Sequence, residues 1–213
     1  MEETHNNQTR GPQSRDLLSA DATNATLKTE LPKLLLASSS PRRSQILQMV
    51  EWPFELGGIE VDESLHEAES AREYVARLAA AKARASAAVH PHRPVLAADT
   101  TVVVDEHILA KPIDRDEGKR MLRLLQGRWH QVLTAIALLT EPTVEVDVEM
   151  TEVRFAPMSE AEIDWYVATG EPMDKAGAYA IQGKGSRYIE GIKGDYFNVM
   201  GLPVRLLYEM VRK

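Results

Sequence analysis

Cysteine is absent from the 213-residue chain. That excludes a disulfide scaffold, a thiolate zinc site, an iron–sulfur cluster and a cysteine nucleophile. An excess of basic residues is also absent. Lys and Arg number 25 against 32 Asp and Glu, a net charge of −7. Such a chain is poorly suited to nucleic-acid backbone or to an anionic membrane, so neither is an expected partner. A phosphate-bearing ligand must then be held by a local cluster of cations. No apolar run approaches the roughly 20 residues of a membrane span. The opening residues lack the apolar core of a secretory signal, so the cytoplasm is the expected location. Several signatures are missing too: GxxxxGK[ST], GxGxxG after a strand, HExxH and GxSxG. Their absence argues against a Walker-type NTPase, a Rossmann dehydrogenase, a zincin and an α/β-hydrolase.

What is present divides into a tail and a body. Residues 1–30 hold few large aliphatics beyond Leu17, Leu18 and Leu27. Their burial cannot offset ordering entropy, so a disordered tail is expected there. Residues 31–213 form the expected single domain. Leu34-Leu35-Leu36-Ala37 reads as a buried strand, and Ser40-Pro41 opens a short helix with Ile46, Leu47, Met49 and Val50 as its apolar side. A loop or edge strand follows over 54–62. A long helix follows over 70–89, with Tyr74, Leu78, Ala81 and Ala85 on one stripe. Strands are expected over 95–105, 131–139 and 144–155, with a short Leu109-Ala110 strand before Lys111-Pro112. Asp114-x-x-Glu117 and Ser159-x-x-Glu162 are capping boxes, and Gly127 closes the first of these helices. A Gly-rich stretch spans 177–201, and a terminal helix 202–212. The alternation implies α/β or α+β with a mixed sheet in one domain.

Chemistry concentrates in a few places. Ser38-Ser39-Ser40-Pro41-Arg42-Arg43 sets hydroxyls and guanidiniums at a helix N-terminus, which suits an anion. Asp99 interrupts an apolar strand, where a carboxylate must be paired, metal-bound or facing a cleft. Glu63 sits near a loop. Lys82 lies among alanines and Lys111 at a strand end; each could point into a cleft or snorkel to solvent. The run from Asp174 through Lys175 to Gln182 and Gly183 combines flexible backbone with an amide able to read a base edge. His130, at a strand entrance, could bind metal or be structural.

Taken in order, these segments resemble the Maf family of nucleoside triphosphate pyrophosphatases. The matching pieces are Leu36-Ala37-Ser38-x-Ser40-Pro41-Arg42-Arg43, Asp62-Glu63, Tyr74-Val75-x-Arg77-Leu78-Ala79 with Lys82-Ala83, and Ala98-Asp99-Thr100. Lys111-Pro112 and Gly127-Arg128-x-His130-x-Val132-x-Thr134 follow. The last pieces are Gly170-Glu171-Pro172-x-Asp174-Lys175-Ala176-Gly177-x-Tyr179-x-Ile181-Gln182-Gly183, Gly194-Asp195-Tyr196 and Asn198-Val199-x-Gly201-Leu202-Pro203. The likeness covers residues 33–213. Gln126 stands where the family usually has Ser, and Ala135-Ile136 where Gly-Val is commoner.

The resemblance implies a two-lobed mixed α/β fold with an extended sheet and a central cleft, similar to the inosine triphosphatases. It implies hydrolysis of a nucleoside triphosphate between the α and β phosphates, with a divalent cation, Mg²⁺ or Mn²⁺, held by Glu63 and Asp99. Asp99 matches the family's proton acceptor. Arg42, Arg43, Lys82 and Lys111 would neutralise phosphate charge, with Ser38 and Lys175 also on substrate. Arg42, Thr100 and Gln182 match the family's base-selecting positions. Asp174–Gly183 reads as in the pyrimidine branch, which implies dTTP and UTP as substrates and a house-cleaning role toward modified pyrimidine nucleotides. The alternatives are the 7-methyl-GTP branch and a nucleotide-binding regulator of cell division without turnover. A homodimer is compatible with the family.

Overall fold

A computed structural model describes Met1 and residues 31–213; the expected tail, Met1 apart, lies outside the described residues. The body runs β1 (Leu34–Leu36), α1 (Pro41–Met49), β2 (Phe54–Leu56), α2 (Ala71–Val89), β3 (Val95–Val104), β4 (His107–Leu109) and α3 (Arg115–Leu125). It continues through β5 (Trp129–Thr140), β6 (Thr143–Phe155) and α4 (Glu160–Ala168). Three short 3₁₀ turns (Glu171–Asp174, Ala176–Ala178, Gly183–Tyr188) lead to β7 (Ile189–Lys193), α5 (Tyr196–Met200) and α6 (Val204–Val211). The sheet order is β2-β1-β3-β5-β6-β7, with β4 beside β3. β1 pairs parallel with β2 and β3, and the other pairs are antiparallel, so the sheet is mixed as expected.

Alternation along β3 divides the core. Val95 and Ala97 pack with Leu35 and with Tyr74, Leu78 and Ala83 of α2 on one face. On the opposite face Leu96 and Ala98 join Ile46, Leu47 and Leu207 from α1 and α6. Further along that face Val102 and Val104 join Met121, Leu122 and Val167 from α3 and α4. These two clusters on one face are the cores of two lobes. Covered on both faces, β1 is apolar throughout rather than alternating.

Some local expectations need correction. In α2 the buried positions are Tyr74, Val75, Leu78, Ala79, Ala80, Lys82, Ala83 and Ser86, while Ala81 and Ala85 only flank that stripe. Met49 of α1 is 61% exposed, because the short helix turns only Ile46 and Leu47 inward. Ser40 is the N-cap residue of α1 but its side chain makes no capping bond. Asp114 accepts from Glu117 N–H, but Glu117 reaches Ile113 N–H instead of closing the box. Ser159 and Glu162 close theirs. The Gly-rich stretch hides β7 and α5, the latter capped by Asp195.

One feature of the sheet creates the cleft. On one side β3 is paired with β5 from Val95 to Val103. On its other side β1 reaches only Leu36↔Leu96, and β4 begins only at Val102. The edge of β3 around Asp99, Thr100 and Thr101 therefore faces an opening between two strands. Side chains from both faces of the strand reach that opening.

Candidate active site

The cavity at this opening has a volume of about 490 Å³. It is lined by Ser38, Arg42, Arg43, Glu63, Lys82, Asp99, Thr100, Lys111, Lys175 and Gln182, but not by His130. They come from β1's exit, α1, the loop after β2, α2, β3, the turn after β4 and the 3₁₀ segment.

Lys82 is the hinge of one half of the site. It projects from the buried stripe of α2, and its Nζ lies 2.6 Å from Asp99 Oδ1 and 2.6 Å from Glu63 Oε1. Asp99 and Lys82 are buried; Glu63 is at the edge. The loop carrying Glu63 is fastened to α2. Tyr74 hydroxyl donates to the Glu63 carbonyl (2.9 Å), Arg77 to the Ser64 carbonyl (2.9 Å), and Arg77 also pairs with Glu69. Burial raises the Asp99 pKa above the ordinary carboxylate value, against the pull of Lys82 and Arg43. For Glu63 burial also pushes upward, but Lys82, Lys111 and Arg43 together outweigh it and hold the carboxyl below its usual range. Lys111 stands at the mouth, 62% exposed, with Nζ 3.8 Å from Glu63. A buried carboxylate of raised basicity beside an ammonium is equipped to accept a proton next to an anion.

Arg43 organises the other half. Its Nε donates to the Gly201 carbonyl (2.8 Å), Nη1 to Ser38 Oγ (3.0 Å) and Nη2 to Thr100 Oγ1 (3.2 Å). Of the five N–H groups of a guanidinium, those three are engaged, so Arg43 positions its neighbours more than it reaches outward. Ser38 Oγ also accepts from Ser40 N–H (3.2 Å). With both lone pairs taken, Ser38 can still donate its proton, which suits an anionic oxygen in the cavity.

The opposite rim is made by the 3₁₀ segment. Arg42 reaches across to Asp174 (3.2 Å), and Lys175 donates to the Glu171 carbonyl (2.7 Å) and to Asp174. Lys175 is thus tied to its own loop. Gln182 is exposed on the cavity wall. The turn after it is anchored by Glu171, which accepts from Lys184 N–H (2.9 Å), Gly185 N–H (3.0 Å) and Tyr166 hydroxyl (2.9 Å). Gly177, at φ +68°, lies where a Cβ would meet Val102 at 2.8 Å.

Sequence reasoning missed three contributors: Asp174 as the partner of Arg42, Glu171 as the anchor, and Thr134 behind Thr100. All three stood in the matching segments, and Thr134 had a local signal as well, a hydroxyl inside an apolar strand. His130 is structural. It is buried among Phe155 and Tyr179, with Nε2 2.8 Å from the Tyr179 hydroxyl. Burial drives its pKa down to about 3, so it stays neutral. No described group of three or more His, Asp or Glu could hold a metal ion, and His130 belongs to none. No described helix is long and apolar enough to cross a membrane.

A dTTP/UTP pyrophosphatase of Symbiobacterium thermophilum is 52% identical over 181 residues, 85% of this chain and 93% of its own. One of Koribacter versatilis is 49% identical over 181 residues, 84% of this chain and 93% of its own. The Ham1 protein of Staphylococcus aureus shares the fold at a TM-score of 0.51 and 14% identity, covering 84% of this chain and 98% of that one. The family model of Maf-like proteins matches residues 33–213. The cavity between β1 and β4 is thus formed by residues of that match, and the chain belongs to the Maf-like family.

Proposed function

We propose that the chain hydrolyses dTTP and UTP to the nucleoside monophosphate and pyrophosphate. Relatives about half identical over nearly their whole length bear that activity in their names. The observation that carries the chemistry is the Glu63–Lys82–Asp99 cluster at the open edge of β3. Asp99 accepts a proton from the attacking water. The water oxygen bonds to one of the two phosphorus atoms flanking the α–β bridging oxygen, and that bridge breaks to release pyrophosphate. Lys82, Lys111 and Arg42 offset the phosphate charge, which is most of what such a reaction requires. Ser38 donates to a phosphate oxygen, and Gln182 meets the base.

A divalent cation, Mg²⁺ or Mn²⁺, belongs to the same proposal. Its fit rests on the donor chemistry: Glu63 and Asp99 converge on one cationic atom, Lys82 Nζ. Mg²⁺ is held by one or two carboxylates together with substrate phosphates. On the face of β3 that carries Asp99, Thr101 Oγ1 is a buried oxygen without a hydrogen-bond partner among the described residues. When bound, the ion supplies neutralisation of phosphate charge and a lowered pKa of water.

The test is pyrophosphate release from purified protein over dTTP, UTP, CTP and 7-methyl-GTP with Mg²⁺ or Mn²⁺. Fast release from dTTP and UTP is expected, with CTP slower by about tenfold or more. A preference for 7-methyl-GTP would move the chain to another substrate branch. Tight nucleotide binding without release would overturn the catalytic assignment.

A further inference from the structure

The hydroxyl of Thr100 belongs to a hydrogen-bond chain whose direction can be read from its ends. A carbonyl oxygen only accepts, and Thr134 Oγ1 lies 2.9 Å from the Asn198 carbonyl, so the single Thr134 proton points there. Thr134 Oγ1 is also 3.0 Å from Thr100 Oγ1. With its own proton committed, Thr134 accepts in that contact and Thr100 donates. From the other side Arg43 Nη2 is 3.2 Å from Thr100 Oγ1, and a guanidinium only donates. One lone pair and no proton remain to Thr100 on the cavity wall. Thr134 and Asn198 behind it are fully buried. Asn198 is itself held, its Nδ2 donating to the Val132 carbonyl (3.0 Å) and to Thr151 Oγ1 (2.9 Å).

We infer that Thr134, through this chain, is a positioning residue for base selection: it takes the Thr100 proton and so leaves Thr100 a pure acceptor toward the base. The inference rests on the proposed reading that Thr100 faces the base. Uracil and thymine offer N3–H to such an acceptor, while an amide N–H of Gln182 meets a flanking carbonyl. Cytosine offers a lone pair at N3, which meets the Thr100 lone pair head on. If Thr134 did not hold the proton, Thr100 could turn it toward cytosine, and the discrimination would fall.

The experiment compares kcat/KM for UTP and CTP in the wild type, Thr134→Val and Thr134→Ser, with Tm recorded for each. Valine nearly keeps the volume but removes the acceptor of the Thr100 proton. The Asn198 carbonyl is not orphaned, because Gly201 N–H also donates to it at 2.9 Å. T134V should lower the UTP:CTP ratio about tenfold, the worth of one hydrogen bond matched against one mismatched. The change should come largely from a lower KM for CTP. T134S should keep the wild-type ratio. Thr134→Ala removes the same acceptor without a branched side chain, and is read in the same way if T134V does not fold. A purely structural Thr134 would lower both substrates together and leave the ratio unchanged, which overturns the inference; so would loss of the ratio in T134S. Equal use of UTP and CTP by the wild type would overturn the base reading itself. A wild-type preference that survives in both T134V and T134A overturns only the role of Thr134.

Discussion

At the scale of single residues, the site depends on which charges share a partner. Lys82 bridges Asp99 and Glu63, at 2.6 Å to each. Asp99→Asn keeps the size of the side chain but removes its capacity to take a proton. Pyrophosphate release should fall by about two orders of magnitude or more, with Tm close to wild type. Near-normal turnover from a folded Asp99→Asn protein would show that the proton goes elsewhere. The raised pKa of Asp99 has a plain cause, since burial disfavours its charge more than Lys82 and Arg43 restore it. Its place in a cleft was legible in the sequence, because a carboxylate amid Val, Leu and Ala needs a reason to be there. The partner was not. Lys82 is seventeen positions away, and only the docking of α2 on β3 makes the pair.

At the scale of elements, the segment from Glu171 to Tyr188 shows how irregular backbone is held in place. Gly177 occupies the left-handed region and packs against Val102, and its N–H donates to the Ala110 carbonyl. Gly177→Ala adds a methyl group into that contact at an unfavourable φ. Stability should fall by roughly 2–4 kcal/mol, measured by urea denaturation. The same change displaces the cavity wall between Asp174 and Gln182, so KM for UTP should rise. An unchanged denaturation midpoint would mean that the turn accommodates the methyl group by moving. The sequence marked residues 177–201 as Gly-rich but hid β7 among them. A five-residue edge strand with a glycine at its centre carries too little alternation to be recognised locally.

At the scale of the whole molecule, stability depends on pH through a group remote from the chemistry. His130 lies between Phe155 and Tyr179 in the core of one lobe, and its pKa is depressed to about 3 by burial. Unfolding exposes it to water, where its pKa returns to about 6.5. Between those values the unfolded chain binds a proton that the native chain refuses. Stability therefore falls as pH drops below about 6.5, by up to about 1.4 kcal/mol per pH unit from this residue. His130→Gln should flatten the fall between pH 6 and pH 4, read from denaturation curves at each pH. An identical slope in the variant would show that carboxylates alone account for the acid sensitivity.

What the sequence determined by itself was local: the caps at Asp114 and Ser159, the apolar run of β1, the alternation in β6, and a set of charged and polar side chains that line the cavity. These follow from propensities and periodicities within a few residues of each other. The stripe on α2 was less legible. Alanine marks a helix strongly but a face weakly, and the buried face is completed by Lys82, a residue expected at the surface. Only the tertiary structure decided that β1 stops at Leu36 and β4 starts beside Val102, so that Asp99 and Thr100 meet an opening rather than another strand. It also decided which way the Thr100 proton points, because that depends on Asn198, sixty-four positions beyond Thr134. Strand pairing and hydrogen-bond direction are properties of neighbours in space, and no periodicity along the chain encodes them.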